Sequence, residues 1–214
     1  MTMNPGYQIS LDVQGHSCLV IGGEEEAVEK IERLLDAGAK ITVLNPTLHS
    51  ALRKLTASGK IVHRGRTFRT TDVQSGVILV LNTLRHDPDL PKLLFDLAKT
   101  ERFLVWSVDQ PEFSTIMMPA VVRRGHLRVA IGTSGASPAL AKALRQDLEN
   151  IFDDEFVDCL NWLGGVREEL QKEEWSEIKR RERLQQIVEG FRLAGKIEFP
   201  KSWVEKKEAS QNDG

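Results

Sequence analysis

The stretch that decides the fold is CLVIGGEEEAVEKIERLLDAGAKITVLNP, at residues 18–46. It opens with a short apolar run, continues with a helical pattern, and closes with a second apolar run rich in β-branched residues. This order is typical of a βαβ unit, in which two parallel strands flank a helix. Gly38 follows the helical pattern, at the position where glycine commonly ends a helix. The stretch therefore predicts an α/β fold with a parallel sheet.

The turn after the first strand matches a dinucleotide-binding turn at all but one position. In such a turn the first glycine allows a tight bend, the second lets the backbone approach a pyrophosphate, and a third small residue packs the helix on the strand. Gly22 and Ala27 fill the first and third roles, but Glu24 occupies the second. The second strand ends in Asn45 and Pro46 rather than in the usual ribose-binding carboxylate. Spacing alone leaves two interpretations open: a nucleotide site, or a Rossmann-like unit that has lost its ligand.

The same strand pattern recurs through the first half of the chain. The runs are near-continuous in apolar residues, as expected for strands buried on both faces of a parallel sheet. After residue 113 an apolar run and a basic, apolar strand pattern follow, and Ser137 with Pro138 marks a helix start. Beyond residue 151 only helical patterns occur, and residues 205–214 are expected to be disordered. The predicted strands lie at residues 17–22, 40–45, 60–65, 77–82 and 103–108.

Composition limits the possible function classes. The 214 residues are 41% hydrophobic and 28% charged, which is ordinary for a soluble globular protein. A net charge of -2 disfavours a general attraction to nucleic acid or to an anionic membrane. The first residues lack the pattern of a secretory signal, and no apolar stretch reaches the roughly 20 residues of a membrane span. Because Cys18 also lies in an apolar run, like a buried reduced thiol, the sequence predicts a cytoplasmic protein.

Two motifs in the second half carry a family resemblance. They are VDQPEFSTIMMPAVVRRGHLRVAI at residues 108–131 and SGASPALAKALRQDLE at residues 134–149. With residues 18–43, they resemble the precorrin-2 dehydrogenase and sirohydrochlorin ferrochelatase family of siroheme synthesis. The resemblance implies a homodimer whose subunits have an NAD-binding Rossmann-like domain (1–112), a dimerisation segment (113–150) and a C-terminal helical domain (151–214). It also implies that NAD+ oxidises precorrin-2 to sirohydrochlorin, and that Fe2+ is a further substrate of some members.

Asp109 is the candidate catalytic residue. It matches the aspartate of the family's VD dipeptide, which the resemblance implies to be catalytic. Dehydrogenation removes a hydride and a proton, so a carboxylate at the carboxyl edge of a parallel sheet is well placed as general base. In chelation the same oxygen could accept a pyrrole proton or transfer the metal. The alternative is an ordinary turn residue before Pro111.

The candidate ligand contacts fall into two groups. The NAD contacts are expected at the ends of the predicted strands and in the first turn of the first helix: Gly22, Gly23, Glu25, Glu26, Asn45, Pro46, Thr47 and Thr83. The carboxylate-rich tetrapyrrole requires cations, and the expected contacts are Arg123, Arg124, Arg128 and Lys142, with His126 and Arg145 nearby. The resemblance adds Thr133 and Ser134, because GTSG at residues 132–135 is similar to a loop of the family. No cysteine or histidine cluster has metal-site spacing, so iron is expected only as a passing substrate.

Two rival functions stay open at this stage. Glu24 is compatible with a chelatase that has lost NAD binding, and the same scaffold could serve as a non-catalytic dimer that binds a tetrapyrrole or a nucleotide. The run STIMMPAVV is too apolar to face water and lies between two candidate domains, so it is expected to reach a partner subunit.

Overall fold

The computed structural model describes residues 6–74 and 76–201, and its first part is a five-stranded parallel sheet. The strand order is β3-β2-β1-β4-β5, so the direction in which the sheet grows reverses between β1 and β4. In doubly wound sheets, ligands bind outside the carboxyl ends of the strands at such a reversal. The predicted Rossmann-like fold is confirmed. The strands are β1 (Ser17–Ile21), β2 (Lys40–Leu44), β3 (Val62–Arg64), β4 (Val77–Asn82) and β5 (Leu104–Ser107).

Helices cover both faces of this sheet. Ile31 and Leu52, from the first two helices, are fully buried in one apolar cluster with Val20 of β1. Leu94, from the third helix, is fully buried in a second cluster with Leu19. Each such side chain stabilises the fold by about 1.5–3 kcal/mol relative to an exposed one. These helices are α1 (Glu25–Asp36), α2 (Ser50–Ala57) and α3 (Leu90–Glu101).

A hairpin and a helix complete the first compact unit, which runs to Asp153. The basic, apolar pattern predicted after residue 113 forms the strand β7 (Leu127–Ile131). It pairs in antiparallel fashion with β6 (Ala120–Arg124). The apolar run did not predict β6, because a continuous run lacks the alternation of a half-buried strand. The helix α4 (Pro138–Ile151) begins where predicted, and the Ser137 hydroxyl accepts a hydrogen bond from the Leu140 N–H at 3.1 Å.

The second compact unit begins at Asp154. It contains α5 (Asp154–Lys172) and α6 (Glu177–Ile187), which confirms the expected helical character. Neither of these two helices has a fully buried side chain in the part of the chain that the structure describes. The predicted disordered tail at residues 205–214 lies outside the described residues. The three-part domain division stays a prediction.

Among residues 6–74 and 76–201, no helix has the length and apolar character that crossing a bilayer requires. Cys18 and Cys159 are both free thiols. Burial raises the pKa of Cys18 to about 11, so this thiol stays protonated and unreactive near neutral pH.

Asp72 anchors the turn that follows β3. Its buried carboxylate accepts hydrogen bonds from the Arg66 side chain at 2.8 Å and from the Arg69 backbone N–H at 2.8 Å. Arg64 lies 3.1 Å from the same carboxylate. The hydrogen bond from Arg66 is the largest cause that lowers the pKa of Asp72 below its ordinary value, although burial opposes it.

This depressed pKa predicts how stability depends on pH. In the unfolded chain an aspartate has a pKa of about 3.9, so the stabilisation is complete above that pH. It is lost as the pH falls through the lower, folded pKa, because the folded state must then take up the proton. We expect the free energy of urea unfolding to fall less steeply below about pH 4 in Asp72→Asn than in the wild type. The exposed Asp12→Asn serves as control, and equal slopes in wild type and Asp72→Asn would contradict the prediction.

Candidate active site

The turn after β1 has no room for side chains at its two glycines. Gly22 has a φ of +115°, and a Cβ there would overlap the Thr83 hydroxyl, which itself donates to the Ile21 carbonyl at 3.0 Å. A Cβ on Gly23 would overlap the Thr47 carbonyl and come within 3.0 Å of the Asn45 amide nitrogen. The structure therefore brings together five of the predicted cofactor contacts at the carboxyl ends of β1, β2 and β4.

The acidic residues after this turn begin α1. Glu24 precedes the helix with an exposed side chain that makes no capping hydrogen bond, while its carbonyl accepts from the Ala27 N–H at 3.0 Å. Glu25 and Glu26 occupy the first turn, where the helix dipole favours acidic side chains. Glu26 is partly neutralised, since its carboxylate lies 3.2 Å from Lys30 Nζ and 3.5 Å from Arg85. Pro46 lies exposed in the turn after β2.

Asp109 lies just beyond β5, at the same carboxyl edge. Its backbone has a φ of +56°, in the left-handed region that non-glycine residues seldom adopt. The preceding Val108 N–H donates to the Asn82 carbonyl at 2.9 Å, which ties this turn to the end of β4. The Asp109 side chain is 71% exposed, and its carboxylate accepts a hydrogen bond from Arg85 Nε at 2.9 Å. A carboxylate in this position is accessible to a ligand bound outside the strand ends.

Arg85 is the residue at this edge that the sequence did not identify. It lies three residues beyond the end of β4, and its guanidinium contacts both Asp109 and Glu26. The hydrogen bond to Asp109 is the largest cause that raises the pKa of Arg85 above its ordinary value. The available signal was its place after a buried strand, because the carboxyl ends of parallel strands meet at one edge.

Two buried side-chain atoms near this edge lack hydrogen-bond partners within the described residues. They are Asn82 Nδ2 and Ser107 Oγ, and the two residues are paired in register at the ends of β4 and β5. A buried polar group without a partner costs about 1–3 kcal/mol, so native proteins seldom retain one unless a ligand or water satisfies it. This feature is consistent with a ligand at the sheet edge.

The predicted substrate contacts divide into two sets. Thr133, Ser134 and Lys142 line a cavity of about 580 Å³ in the first unit, together with Arg145 and Lys30. This volume is within the range of small-molecule sites, and the lining offers cations and hydroxyls suited to carboxylates. Ser134 has a φ of +52°, so the loop that carries it is sharply turned.

The three arginines of the hairpin lie outside this cavity. Arg123 pairs with Asp36 at 2.9 Å, and Arg124 donates to the Glu149 carbonyl near the end of α4 at 2.7 and 3.0 Å. Arg128 donates to carbonyls of its own turn. None of these three arginines lines the cavity, so the structure does not gather them with Thr133 and Lys142.

In the described ranges, no three histidine, cysteine, aspartate or glutamate side chains are grouped so that they could hold a metal ion. Asp109, the candidate metal-transferring carboxylate, instead has a guanidinium as its neighbour.

Comparisons with known proteins assign two successive segments of the chain to known families. Residues 9–120 match the family described as putative NAD(P)-binding, and residues 124–151 match the central part of a sirohaem biosynthesis protein. The siroheme synthase of Nitrosococcus oceani is 36% identical over 67% of this chain and 30% of its own length. That of Nitrosospira multiformis is 30% identical over 93% of this chain and 43% of its own length. The chain thus spans less than half of either relative.

One solved structure is similar over most of its length. It is SirC, a precorrin-2 dehydrogenase, with a TM-score of 0.72 and 27% identity over 86% of this chain and 90% of that chain. The resemblance inferred from the motifs is confirmed. Since residues 9–120 make up more than half of the chain, this protein belongs to the putative NAD(P)-binding family, and the central segment of sirohaem biosynthesis proteins follows that domain.

Proposed function

We propose that this chain catalyses the NAD-dependent oxidation of precorrin-2 to sirohydrochlorin. The observation that carries the proposal is the position of Asp109, at the same sheet edge as the glycine turn. The reversal of strand order places the ends of β4 and β5 beside the glycine turn, at the edge where doubly wound sheets bind nucleotides. The siroheme synthases and the precorrin-2 dehydrogenase that the chain resembles support the choice of substrate.

The residues at this edge fit NAD. Gly22 and Gly23 keep the turn free of side chains, and the backbone amides of Glu25 and Glu26 face outward from a helix N-terminus, where a pyrophosphate is favoured. The unsatisfied amide of Asn82 offers a donor at the end of β4. When bound, NAD+ supplies the hydride acceptor of the reaction. These features favour the nucleotide-site interpretation of the turn over a Rossmann-like unit that has lost its ligand.

Asp109 supplies the proton acceptor. Oxidation removes a hydride and a proton from precorrin-2, and the Asp109 carboxylate would accept the proton. Because the Asp109 side chain is largely exposed, its carboxyl group would then release the proton to water. The left-handed backbone at Asp109 fixes the direction in which this side chain leaves the sheet edge.

The cavity beside α4 is the proposed tetrapyrrole site. Lys142 and Arg145 on α4 and Lys30 on α1 provide cations for its carboxylates, and Thr133 and Ser134 provide hydroxyls. Lys30 also pairs with Glu26, and Glu26 with Arg85. A continuous series of ion pairs therefore joins this cavity to Asp109.

Glu24 should weaken the cofactor site without abolishing it. Its exposed carboxylate can turn toward solvent, but it still places a negative charge near the pyrophosphate position. We expect Glu24→Gly to tighten NAD+ binding by roughly 1 kcal/mol, about fivefold, as measured by calorimetry. Glu24→Gln should show part of this gain, whereas Glu32→Gln, on the exposed face of α1, should show none. An unchanged affinity in Glu24→Gly would mean that the carboxylate is harmless.

We further propose that the functional unit is a homodimer in the cytoplasm. Met117 and Met118 are 44% and 37% exposed, and Tyr7 and Ile9 are 91% and 67% exposed. Gln8 lines the same cavity as the two methionines, so these apolar side chains share one region. Exposed apolar side chains so grouped are typical of interfaces. Light scattering should report twice the chain mass of 24.1 kDa at micromolar concentration, and a monomer would contradict the proposal.

The rival functions differ from the proposed one in simple binding and chelation tests. The purified chain is titrated with NAD+, and separately incubated with sirohydrochlorin and Fe2+ while the metallated product is followed by absorbance. NAD+ binding at micromolar to millimolar concentration is expected. No NAD+ binding together with iron insertion would favour the chelatase. NAD+ binding with no conversion of precorrin-2 would favour the non-catalytic dimer.

A further inference from the structure

Arg85 contacts both the proposed base and the acidic turn before α1, but it has no role in the proposed reaction. Its Nε donates to Asp109 Oδ2 at 2.9 Å, and its Nη2 lies 3.5 Å from Glu26 Oε2. The guanidinium thus lies between the proposed base and the first turn of α1. Its side chain is 49% exposed, so it is free to change partners without disturbing the core.

The pair with Asp109 opposes the role of that carboxylate. One of its two oxygens is engaged by a charged donor, and proton transfer to that oxygen requires the donor to leave. In the absence of a competing anion, a guanidinium retains such a partner because the charge-assisted hydrogen bond is among the stronger ones. If Arg85 left Asp109 when the cofactor binds, both carboxylate oxygens would be able to accept a proton.

The first turn of α1 is acidic, which disfavours the binding of phosphate anions. Glu24, Glu25 and Glu26 stand where two phosphate anions are proposed to bind, and Glu26 is neutralised in part by Lys30 and Arg85. Arg85 has N–H groups beyond the one given to Asp109, and the planar fork of a guanidinium matches phosphate oxygens. Its contact with Glu26 shows that it reaches this turn.

We propose that Arg85 is a cofactor-binding residue that exchanges Asp109 for the pyrophosphate of NAD+ when the dinucleotide binds. The exchange offsets the negative charge of the acidic turn and frees the Asp109 carboxylate at the moment when a hydride acceptor is present. This inference rests on the proposed function, because it requires NAD+ at the sheet edge. A guanidinium is not deprotonated in proteins, so Arg85 stays charged with either partner.

Competition between two partners has a thermodynamic signature. If NAD+ must take Arg85 from Asp109, removing the Asp109 charge should tighten NAD+ binding, and it should do so only while Arg85 is present. A simple repulsion between Asp109 and the phosphates would also tighten binding, but equally in the absence of Arg85. A double-mutant cycle therefore separates exchange from repulsion.

The experiment is calorimetric titration of NAD+ into the wild type, Arg85→Ala, Asp109→Asn and the double variant at one fixed ionic strength. We expect Arg85→Ala to weaken binding about tenfold, the scale of one charge-assisted hydrogen bond. Asp109→Asn should tighten it about threefold or more in the wild-type background and leave it unchanged in the Arg85→Ala background. Lys99→Ala and Asp96→Asn, which break a similar exposed ion pair on α3, should have no effect.

Three results would overturn the inference. They are an unchanged affinity in Arg85→Ala, an unchanged affinity in Asp109→Asn, and an equal tightening by Asp109→Asn in both backgrounds. If the wild type itself does not bind NAD+, the proposed function fails and the inference with it. If the wild type binds and the cycle shows no coupling, only the inference fails. Thermal melts confirm folding, which these exposed side chains should not affect.

Discussion

Replacing Asp109 with asparagine is expected to lower the rate of precorrin-2 oxidation by about 100-fold or more. Asparagine keeps the shape of the side chain, but it cannot accept a proton at neutral pH. A loss of this size corresponds to about 2.7 kcal/mol of transition-state stabilisation. The rate is measured as NADH formation with saturating precorrin-2 and NAD+.

Asp96→Asn is the matched control for this variant. Asp96 is also an exposed, ion-paired carboxylate of the first unit, but it lies on α3 and outside the candidate site. It should retain the wild-type rate. A wild-type rate in Asp109→Asn, with a folded protein, would remove Asp109 from the catalytic role.

Replacing Gly22 with alanine is expected to lower the free energy of unfolding by about 2–5 kcal/mol and to abolish measurable NAD+ binding. Two costs add at this position. A φ of +115° is strained for any residue with a Cβ, and the new methyl group would overlap the buried Thr83 hydroxyl. Relief of the overlap would move the end of β4 away from β1, and with it the edge on which the cofactor is proposed to lie.

Gly59→Ala separates these two costs. Gly59 also has a positive φ, of +71°, but a Cβ there would meet no atom within 4 Å. This variant should lose only about 1 kcal/mol in urea unfolding and should bind NAD+ normally. If Gly22→Ala were no less stable than Gly59→Ala, the close approach of Gly22 and Thr83 would not matter to the fold.

The sequence predicted the sheet well because the relevant signal is local. Each strand is a short apolar run, and the helix after the first strand ends at Asp36, two residues before Gly38, which adopts a φ of +77°. The hairpin was harder, since β6 lies within a continuous apolar run whose pattern does not distinguish a strand from a buried loop. The predicted strand ends agree with the observed ones to within one or two residues.

The site was predictable where it depends on strand ends and not where it depends on long-range charge pairing. Asp109 follows from a motif, but its partner Arg85 is 24 residues earlier in the chain, and no spacing rule joins them. Arg123 counted as a free cation in the sequence, whereas its partner Asp36 lies 87 residues away. A cluster of basic residues in a sequence therefore does not show which of them are already paired within the fold.

The central claim is that this chain oxidises precorrin-2 with NAD+ as the hydride acceptor. The most direct test is to mix the purified protein with precorrin-2 and NAD+ without oxygen, and to follow NADH and sirohydrochlorin together by absorbance. We expect one NADH for each sirohydrochlorin formed, and no product when NAD+ is omitted. Sirohydrochlorin formed at the same rate without NAD+, or no NADH from a protein that binds NAD+, would contradict it.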